Sequence, residues 1–342
     1  MSFESLVLSQ KAVSKPALST WAIAMLVATT ALAGCSRQSE QPAPTADAAQ
    51  QSAPPASPAA TPDSENVKSF TIGEFPAYAL RDGGLDFPND GKTFAIGHKP
   101  EEVAALLTAA GLPTDKLALS IQPLLVKAGD RVLLFDTGAG SSFGPSAGSL
   151  PASLAAAGVD PGSITDIFIS HVHGDHTGGF LNAEGQLVFT NATIHLSAPE
   201  WAYLTKMTPD AAASVGLPKH AALVAALTPK VAPFAPGSEL IPGVVKAMEI
   251  KGHTPGHSGY LITSGQSSLL YIGDAMHHSI VSVQKPDWPI NFDSDAKAAE
   301  TSRDALLKAA AADGQRIYAV HFPFPGLGKI ESRGDGYVWV AE

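Results

Sequence analysis

From Val67 onward the chain alternates short apolar runs with clusters of turn-forming residues. VKSFTIG, FPAYAL, LALSIQPLLV and RVLLFDTG are separated by Gly, Asp and Pro and are predicted as strands. PEEVAALLTAAG, from Pro100 to Gly111, has proline in its first turn, acids next and glycine past its end, the signature of a helix. SLPASLAAAGV and the alanine-rich stretch from Asp295 to Ala312 are predicted as helices too. Buried strands are expected over DIFIS (166–170), ATIHLS (192–197), VVKAMEI (244–250), GYLIT (259–263), SLLYIGD (268–274) and RIYAVH (316–321). Several of these later strands end in an acid, a histidine or a glycine turn. The pattern predicts one α/β domain over residues 67–342, with mixed sheets, helices outside them and polar chemistry at strand ends.

The first 66 residues read differently. Trp21 to Gly34, WAIAMLVATTALAG, is uncharged and follows Lys11 and Lys15. Fourteen residues make about 21 Å of helix, short of the roughly 30 Å of a hydrocarbon core, so residues 1–34 suit a secretory signal rather than a membrane span. Leu32-Ala33-Gly34-Cys35 resembles a bacterial lipobox, which implies a lipidated Cys35. The alternative is an ordinary signal with an unmodified cysteine. Gln38 to Glu65 contains no aromatic residue and no aliphatic one larger than alanine, so residues 35–66 are expected to be a disordered tether. The expected location is the periplasm, with membrane association only through the lipid. Ser36 after the cysteine favours the outer membrane by the same resemblance.

Composition narrows the function. Of 342 residues, 45% are apolar, which excludes a wholly disordered chain. The formal charge of −10, with no Lys/Arg stripe, argues against nucleic acid as a partner. A single cysteine excludes intrachain disulfides and Cys-rich metal knuckles.

The informative run is Ser170-His171-Val172-His173-Gly174-Asp175-His176, directly after DIFIS. If His171 and His173 leave the strand extended, alternation puts them on one face, able to share a metal. Asp175 and His176 lie past Gly174, where the chain can bend and present them to a second metal. Gly252-His253-Thr254-Pro255-Gly256-His257 follows VVKAMEI, Gly273-Asp274 follows SLLYI, and His321 follows RIYAV. Five histidines and two aspartates suit two divalent ions bridged by a carboxylate, zinc first, with Mn, Fe and Co also compatible. G-x-S-x-G occurs only in the Gly/Ser-rich run 140–148, where neither match lies directly between a predicted strand and a predicted helix as a nucleophile elbow requires, so covalent catalysis lacks an obvious agent. His195 reads as a strand residue, His98 and His220 as solvated, and His257 as a neighbour of the ligands. His277 and His278 are open between a surface loop and the rim of a pocket. Asp136 in FDTG is expected to orient a histidine or its own turn.

HVHGDH, GHTPGHS, the Gly-Asp after an apolar strand and the late lone histidine resemble the metallo-β-lactamase superfamily, a four-layer αββα sandwich. LLFDTGAGSSFGPSAGSL, the DSD at 293–295 and HFPFPGLGKIESRGDGYVWV are most similar to its methyl parathion hydrolases and related lactonases. By that resemblance His171, His173 and His253 hold one metal, Asp175, His176 and His321 hold the other, and Asp274 bridges. Asp274 argues against a β-lactam substrate, and His173 against the flavodiiron branch. Phe143 and Trp201 fall at aromatic pocket positions, and His278 joins them as a pocket candidate, while an aromatic expected near 215–220 is missing. The resemblance implies a hydrolase whose bridging hydroxide attacks lactones, such as acyl-homoserine lactones, or organophosphate triesters, with Asp175 and Asp274 as catalytic carboxylates. Homodimers are common in the family. Two alternatives stand beside it: a non-catalytic zinc-binding lipoprotein, and a hydrolase of another ester or thioester.

Overall fold

Residues 63–342 are described by the structure, a computed structural model; the expected signal segment, Cys35 and nearly all of the tether lie outside the described residues. Strands β1 (Val67–Ile72) and β2 (Phe75–Leu80) form a hairpin. β3 (Gly83–Pro88) and β4 (Lys116–Ile121) pair as a separate ribbon, with α1 (Pro100–Ala109) between them in sequence. β5 (Leu124–Ala128) and β6 (Arg131–Phe135) extend the first sheet. After α2 (Leu150–Ala156) comes β7 (Asp166–Phe168), then α3 (Gly174–Thr177), β8 (Thr193–Ser197), α4 (Ala198–Lys206), α5 (Pro209–Ser214), α6 (His220–Leu227) and β9 (Val231–Phe234). The second sheet takes β10 (Glu239–Ile241), β11 (Val245–Glu249), β12 (Ser258–Ser264) and β13 (Ser267–Tyr271). It continues, after α7 (Val281–Gln284) and α8 (Ala296–Asp313), with β14 (Arg316–Tyr318), β15 (Leu327–Arg333) and β16 (Gly336–Ala341). The sheet orders are β1-β2-β5-β6-β7-β8-β9 and β10 through β16 in sequence.

Alternation along the strands explains the layering. In β6, Leu133 and Phe135 enter a core shared with Tyr260, Leu269, Tyr271 and Tyr318 of the second sheet, while Leu134 joins the outer core with Leu154 of α2 and Leu204 of α4. In β13, Leu269 and Tyr271 face the same central layer and Leu270 faces outward to Leu306 and Leu307 of α8. Both faces of each sheet are therefore apolar, and each needs a cover. The result is the expected αββα sandwich. Truncating a central side chain such as Phe135 to alanine should cost about 3–5 kcal/mol.

Some elements escaped the pattern. LALSIQPLLV divides into β4 and β5, because Pro123 has no N–H to donate and the Gln122 amide instead reaches the carbonyls of Ala319 and Phe322, both at 2.9 Å. β3, GGLDFP, opens on two glycines and alternates too few apolar residues to stand out as a strand in the sequence. The hairpin β15–β16 forms one edge of the second sheet, with Trp339 against Phe322.

The site follows from strand direction. β6 and β7 run parallel, as do β13 and β14. Their C-terminal ends deliver Asp136, the run Ser170–His176, Asp274 and His321 to one end of the sandwich, and the β11–β12 connection adds Gly252–His257.

Candidate metal centre

Four connections, after β7, β11, β13 and β14, carry the ligating side chains, and close packing at a glycine fixes the first and the third. Gly174 opens α3, and its backbone N–H donates to the Val215 carbonyl at 2.8 Å. A Cβ there would run into the carbonyl of Gly216. Gly273 sits at φ +49°, and a Cβ would come within 2.6 Å of His257 Nε2 and 2.8 Å of Ser170 Cβ. Both positions require glycine for approach and, at Gly273, for backbone conformation. His171 and His173 lie beyond the end of β7, and His173 has extended backbone, with φ −61° and ψ 155°.

The side chains form two groups whose candidate ligand atoms lie within 4.8 Å of one another: His171, His173, His253 and Asp274, and then Asp175, His176 and His321. In the first, His253 Nε2 is 3.1 Å from both His171 Nε2 and His173 Nδ1. Asp274 joins the groups. Its Oδ1 lies 3.1 Å from both His176 Nε2 and His321 Nε2, and its Oδ2 lies 3.3 Å from His253 Nε2 and 3.6 Å from His171 Nε2. Asp175 places Oδ1 3.7 Å from His176 Nε2 and Oδ2 3.5 Å from His321 Nε2.

Neighbouring groups fix the rings. His176 donates from Nδ1 to Asp136 Oδ2 at 2.7 Å, and Asp136 also accepts from Ser170 N, Ser170 Oγ and Tyr271 OH, each at 2.7 Å. His321 Nδ1 donates to the Ser120 carbonyl at 2.7 Å, and His253 Nδ1 to Asp293 Oδ1 at 2.9 Å. Each of these three rings therefore turns its Nε2 inward as a lone-pair donor. His257 accepts the Asp274 backbone N–H on Nε2 and donates from Nδ1 to Ile250 O, so it supports Asp274 without ligating. Burial, helped by the charge of His253, pushes His257 down to about 3.

Electrostatics agree with a cation site. Burial opposes charge on His176, but the carboxylates of Asp274, Asp175 and Asp136 outweigh it and hold the ring well above the ordinary histidine value. Burial likewise opposes charge on Asp274, and His176, His321, His171 and His277 outweigh that, holding it well below the carboxylate range. Burial pushes His171 and His173 well down, toward the neutral form that binds metal. The buried atoms His176 Nε2 and Asp274 Oδ1 have no hydrogen-bond partner within the protein. Convergent imidazole nitrogens, a carboxylate between them and unpartnered buried atoms aimed at the gap are what a pair of divalent ions would satisfy.

A cavity of about 360 Å³ opens on these groups, walled by Leu85, Phe87, Leu119, Phe143, Val215 and Phe292, with His277 and Asn291 as polar points. Phe143 thus lines the cavity, as expected from sequence. Trp201 does not: it packs against the outer core of the first sheet. His278 does not line it either. It is buried, and its Nδ1 accepts from Ile280 N and Val281 N, closing the turn into α7. His277 is the one that faces the cavity, 1% exposed, with Nε2 3.1 Å from Asp274 Oδ2 but out of line for a hydrogen bond, and with neither ring nitrogen partnered. His98 and His220 are not simply solvated; the first stacks on Trp288 at 4.4 Å and the second bonds to Leu204 O at 2.7 Å.

Sequence reasoning missed Glu200. Its position three residues after Ser197 reads as a helix-capping residue. Instead its carboxylate, fully buried, accepts from Val172 N at 3.0 Å, Thr254 Oγ1 at 2.9 Å and Gly256 N at 2.7 Å, tying the two histidine-bearing loops together. Burial raises its pKa in spite of those donors.

A family model described as the metallo-beta-lactamase superfamily matches residues 118–321, more than half of the chain. Among solved structures, AidC, a dizinc quorum-quenching lactonase in complex with the product N-hexanoyl-L-homoserine, is 29% identical with a TM-score of 0.76, covering 81% of this chain and 97% of its own. The hydrolase AbOPH of the beta-lactamase superfamily is 28% identical with a TM-score of 0.72, covering 82% and 99%. A probable metal-dependent hydrolase from Staphylococcus aureus shares the fold at 17% identity and a TM-score of 0.63, covering 80% and 99%. A comparison with curated protein sequences finds no match. Among the described residues no helix is long and apolar enough to cross a membrane.

Proposed function

We propose, from the premise that the chain belongs to the metallo-β-lactamase superfamily, that it is a binuclear metal-dependent lactonase acting on acyl-homoserine lactones. The observation that carries this reading is the split carboxylate of Asp274, one oxygen toward each cluster at the floor of an apolar cavity. His171, His173 and His253 would hold one ion, Asp175, His176 and His321 the other, with Asp274 between them. Zinc fits the donor set, and manganese, iron and cobalt match it too. Two bound divalent ions supply Lewis acidity, polarising an ester carbonyl and allowing water to ionise near neutral pH.

The chain's own residues supply the rest. Asp136, Asp293 and the Ser120 carbonyl keep three imidazoles in the tautomer that faces inward. Leu85, Phe87, Phe143 and Phe292 exclude water and seat an acyl tail, burying about 0.8 kcal/mol per methylene. His277, whose Nε2 lies 3.1 Å from Asp274 Oδ2 and whose ring lines the cavity, donates a hydrogen bond to the ester oxygen as charge develops there. Asp175, its side chain 15% exposed at the cavity, takes the proton released by water and returns it to the alkoxide of the opened ring. Ser214 on the cavity wall is no nucleophile in this scheme; its hydroxyl donates to Ala211 O in its own helix. Likeness to a dizinc lactonase solved with its product favours a lactone over other esters.

The same reading takes the chain to be exported and lipidated at Cys35, its Pro/Ala-rich segment serving as the tether. Mass analysis of the mature N-terminal peptide checks this, as does release from membranes in Cys35→Ala. The enzymatic test is a panel on zinc-loaded protein: N-hexanoyl-homoserine lactone, a phosphotriester of the paraoxon type and an aryl ester. We expect the lactone to be opened fastest. A faster phosphotriester reaction would move the substrate class, and tight zinc binding without turnover of any of the three would make the protein a carrier.

A further inference from the structure

Arg303 lies in the middle of α8, 2% exposed, far in sequence from every histidine of the centre. Its guanidinium fans out to three places. Nε donates to the Ala275 carbonyl at 3.0 Å, Nη1 to the Pro286 carbonyl at 2.8 Å and Nη2 to Asp293 Oδ2 at 3.0 Å. Ala275 is the residue after Asp274. Pro286 and Asp293 belong to the segment that bears His277, Asn291 and Phe292 on the cavity wall. The other oxygen of Asp293 accepts from His253 Nδ1. The backbone just after Asp293 is fastened as well, since Ser294 N donates to His253 O at 2.9 Å and Asp295 N to Gly252 O at 2.8 Å.

We propose that Arg303 is the positioning residue of the first cluster and of the cavity wall, setting the direction of His253 through Asp293 and pinning segment 275–293 at its two carbonyls. A buried guanidinium is expensive to desolvate, and it stands here only because a carboxylate and two carbonyls meet its fork at three separate angles. A lysine ammonium is a point donor on a flexible stem and cannot meet acceptors spread this way. The arrangement couples two properties that are otherwise separate, retention of one ion and the shape of the substrate cavity. It rests on the reading of His171, His173 and His253 as metal ligands.

The test compares wild type, Arg303→Met, Arg303→Lys, Asp293→Asn and the Arg303→Met/Asp293→Asn double variant. Zinc affinities are measured by chelator competition, and lactone kinetics on zinc-saturated protein. In Arg303→Met we expect one of the two zinc ions to bind about 10- to 100-fold more weakly and the other to change by less than about threefold. Asp293→Asn should weaken the same ion, and the double variant should be no worse than the weaker single, because both act through one path. KM should rise in Arg303→Met and stay near wild type in Asp293→Asn, which leaves the two carbonyl contacts intact. Should Arg303→Met fail to fold, Arg303→Lys serves, with the same selective loss in smaller degree. Unchanged zinc binding in Arg303→Lys and Arg303→Met, or equal loss of both ions, would overturn the proposal. Failure of wild type to bind two ions would instead strike the reading of the centre itself.

Discussion

His176 and His253 each donate to a carboxylate, yet the two carboxylates are held in different ways. Asp136 stands just past the end of β6, where Ser170 beyond β7 and Tyr271 of β13 in the facing sheet surround it with donors. Asp293 stands on a long connection, and a helix side chain from beyond it, Arg303, holds it in place. His176 and His321 are thus oriented from a strand end and by a backbone carbonyl. His253 of the other cluster is oriented from a loop that Arg303 braces, and Glu200 ties its own loop to the one that bears His171 and His173. Sheet ends inherit the rigidity of the central core; loops need dedicated buried charges to reach the same order. The two halves should therefore respond unequally to substitutions outside them.

Asp274 belongs to both halves, so its loss should have the largest effect and erase the contrast. Asp274→Asn should lower lactone turnover by about 1,000-fold or more and reduce bound zinc in both clusters, read by elemental analysis. Retention of two zinc ions with near-normal turnover would contradict the bridging role. His277 belongs to neither half. His277→Phe should keep both ions and lose about 100-fold in kcat, since one donor at the reacting oxygen is removed. Loss of metal there would make it a ligand instead. Glu200→Ala tests the loop-built half alone. It strands three buried donors, should cost about 3 kcal/mol in denaturant melts and should weaken one zinc ion more than the other. Equal weakening would abolish the distinction between the halves.

The smallest effect lies away from both. Asp166 on β7 accepts from Arg131, Thr165 and His195, and although burial opposes ionisation, those bonds hold it below its ordinary value of 3.8. A lowered folded-state pKa contributes stability above 3.8 that is lost as pH falls through the folded value. Asp166→Asn should cost about 1 kcal/mol at neutral pH, the Arg131 contact being half exposed, and the gap from wild type should close in acid while turnover stays unchanged.

Much of this architecture could be read from the chain itself, for a physical reason. His171, His173, Asp175 and His176 are neighbours in sequence, and His253, Asp274 and His321 each follow an apolar strand, so strand periodicity alone announces a place where they can meet. The apolar runs such as RVLLF and SLLYI announced mixed sheets with helices outside them, while the four-layer sandwich followed only from the resemblance carried by HVHGDH and GHTPGHS. Glu200, Asp293 and Arg303 were not legible, because their partners lie tens of residues away and nothing local marks a carboxylate or guanidinium that will be buried. Trp201 and His278 show the converse. Their residue types suit a pocket, but the helix face of one and the turn geometry of the other direct them elsewhere. His277, one position earlier, faces the cavity because the chain after Asp274 has not yet turned into α7.

The most direct measurement is lactone hydrolysis during stepwise zinc loading of metal-free protein, with bound metal counted at each step. We expect turnover to remain low until the second ion binds and to level off at two per chain. Full activity without metal, or a plateau at one ion with the second cluster empty, would contradict a centre in which Asp274 serves two cations at once.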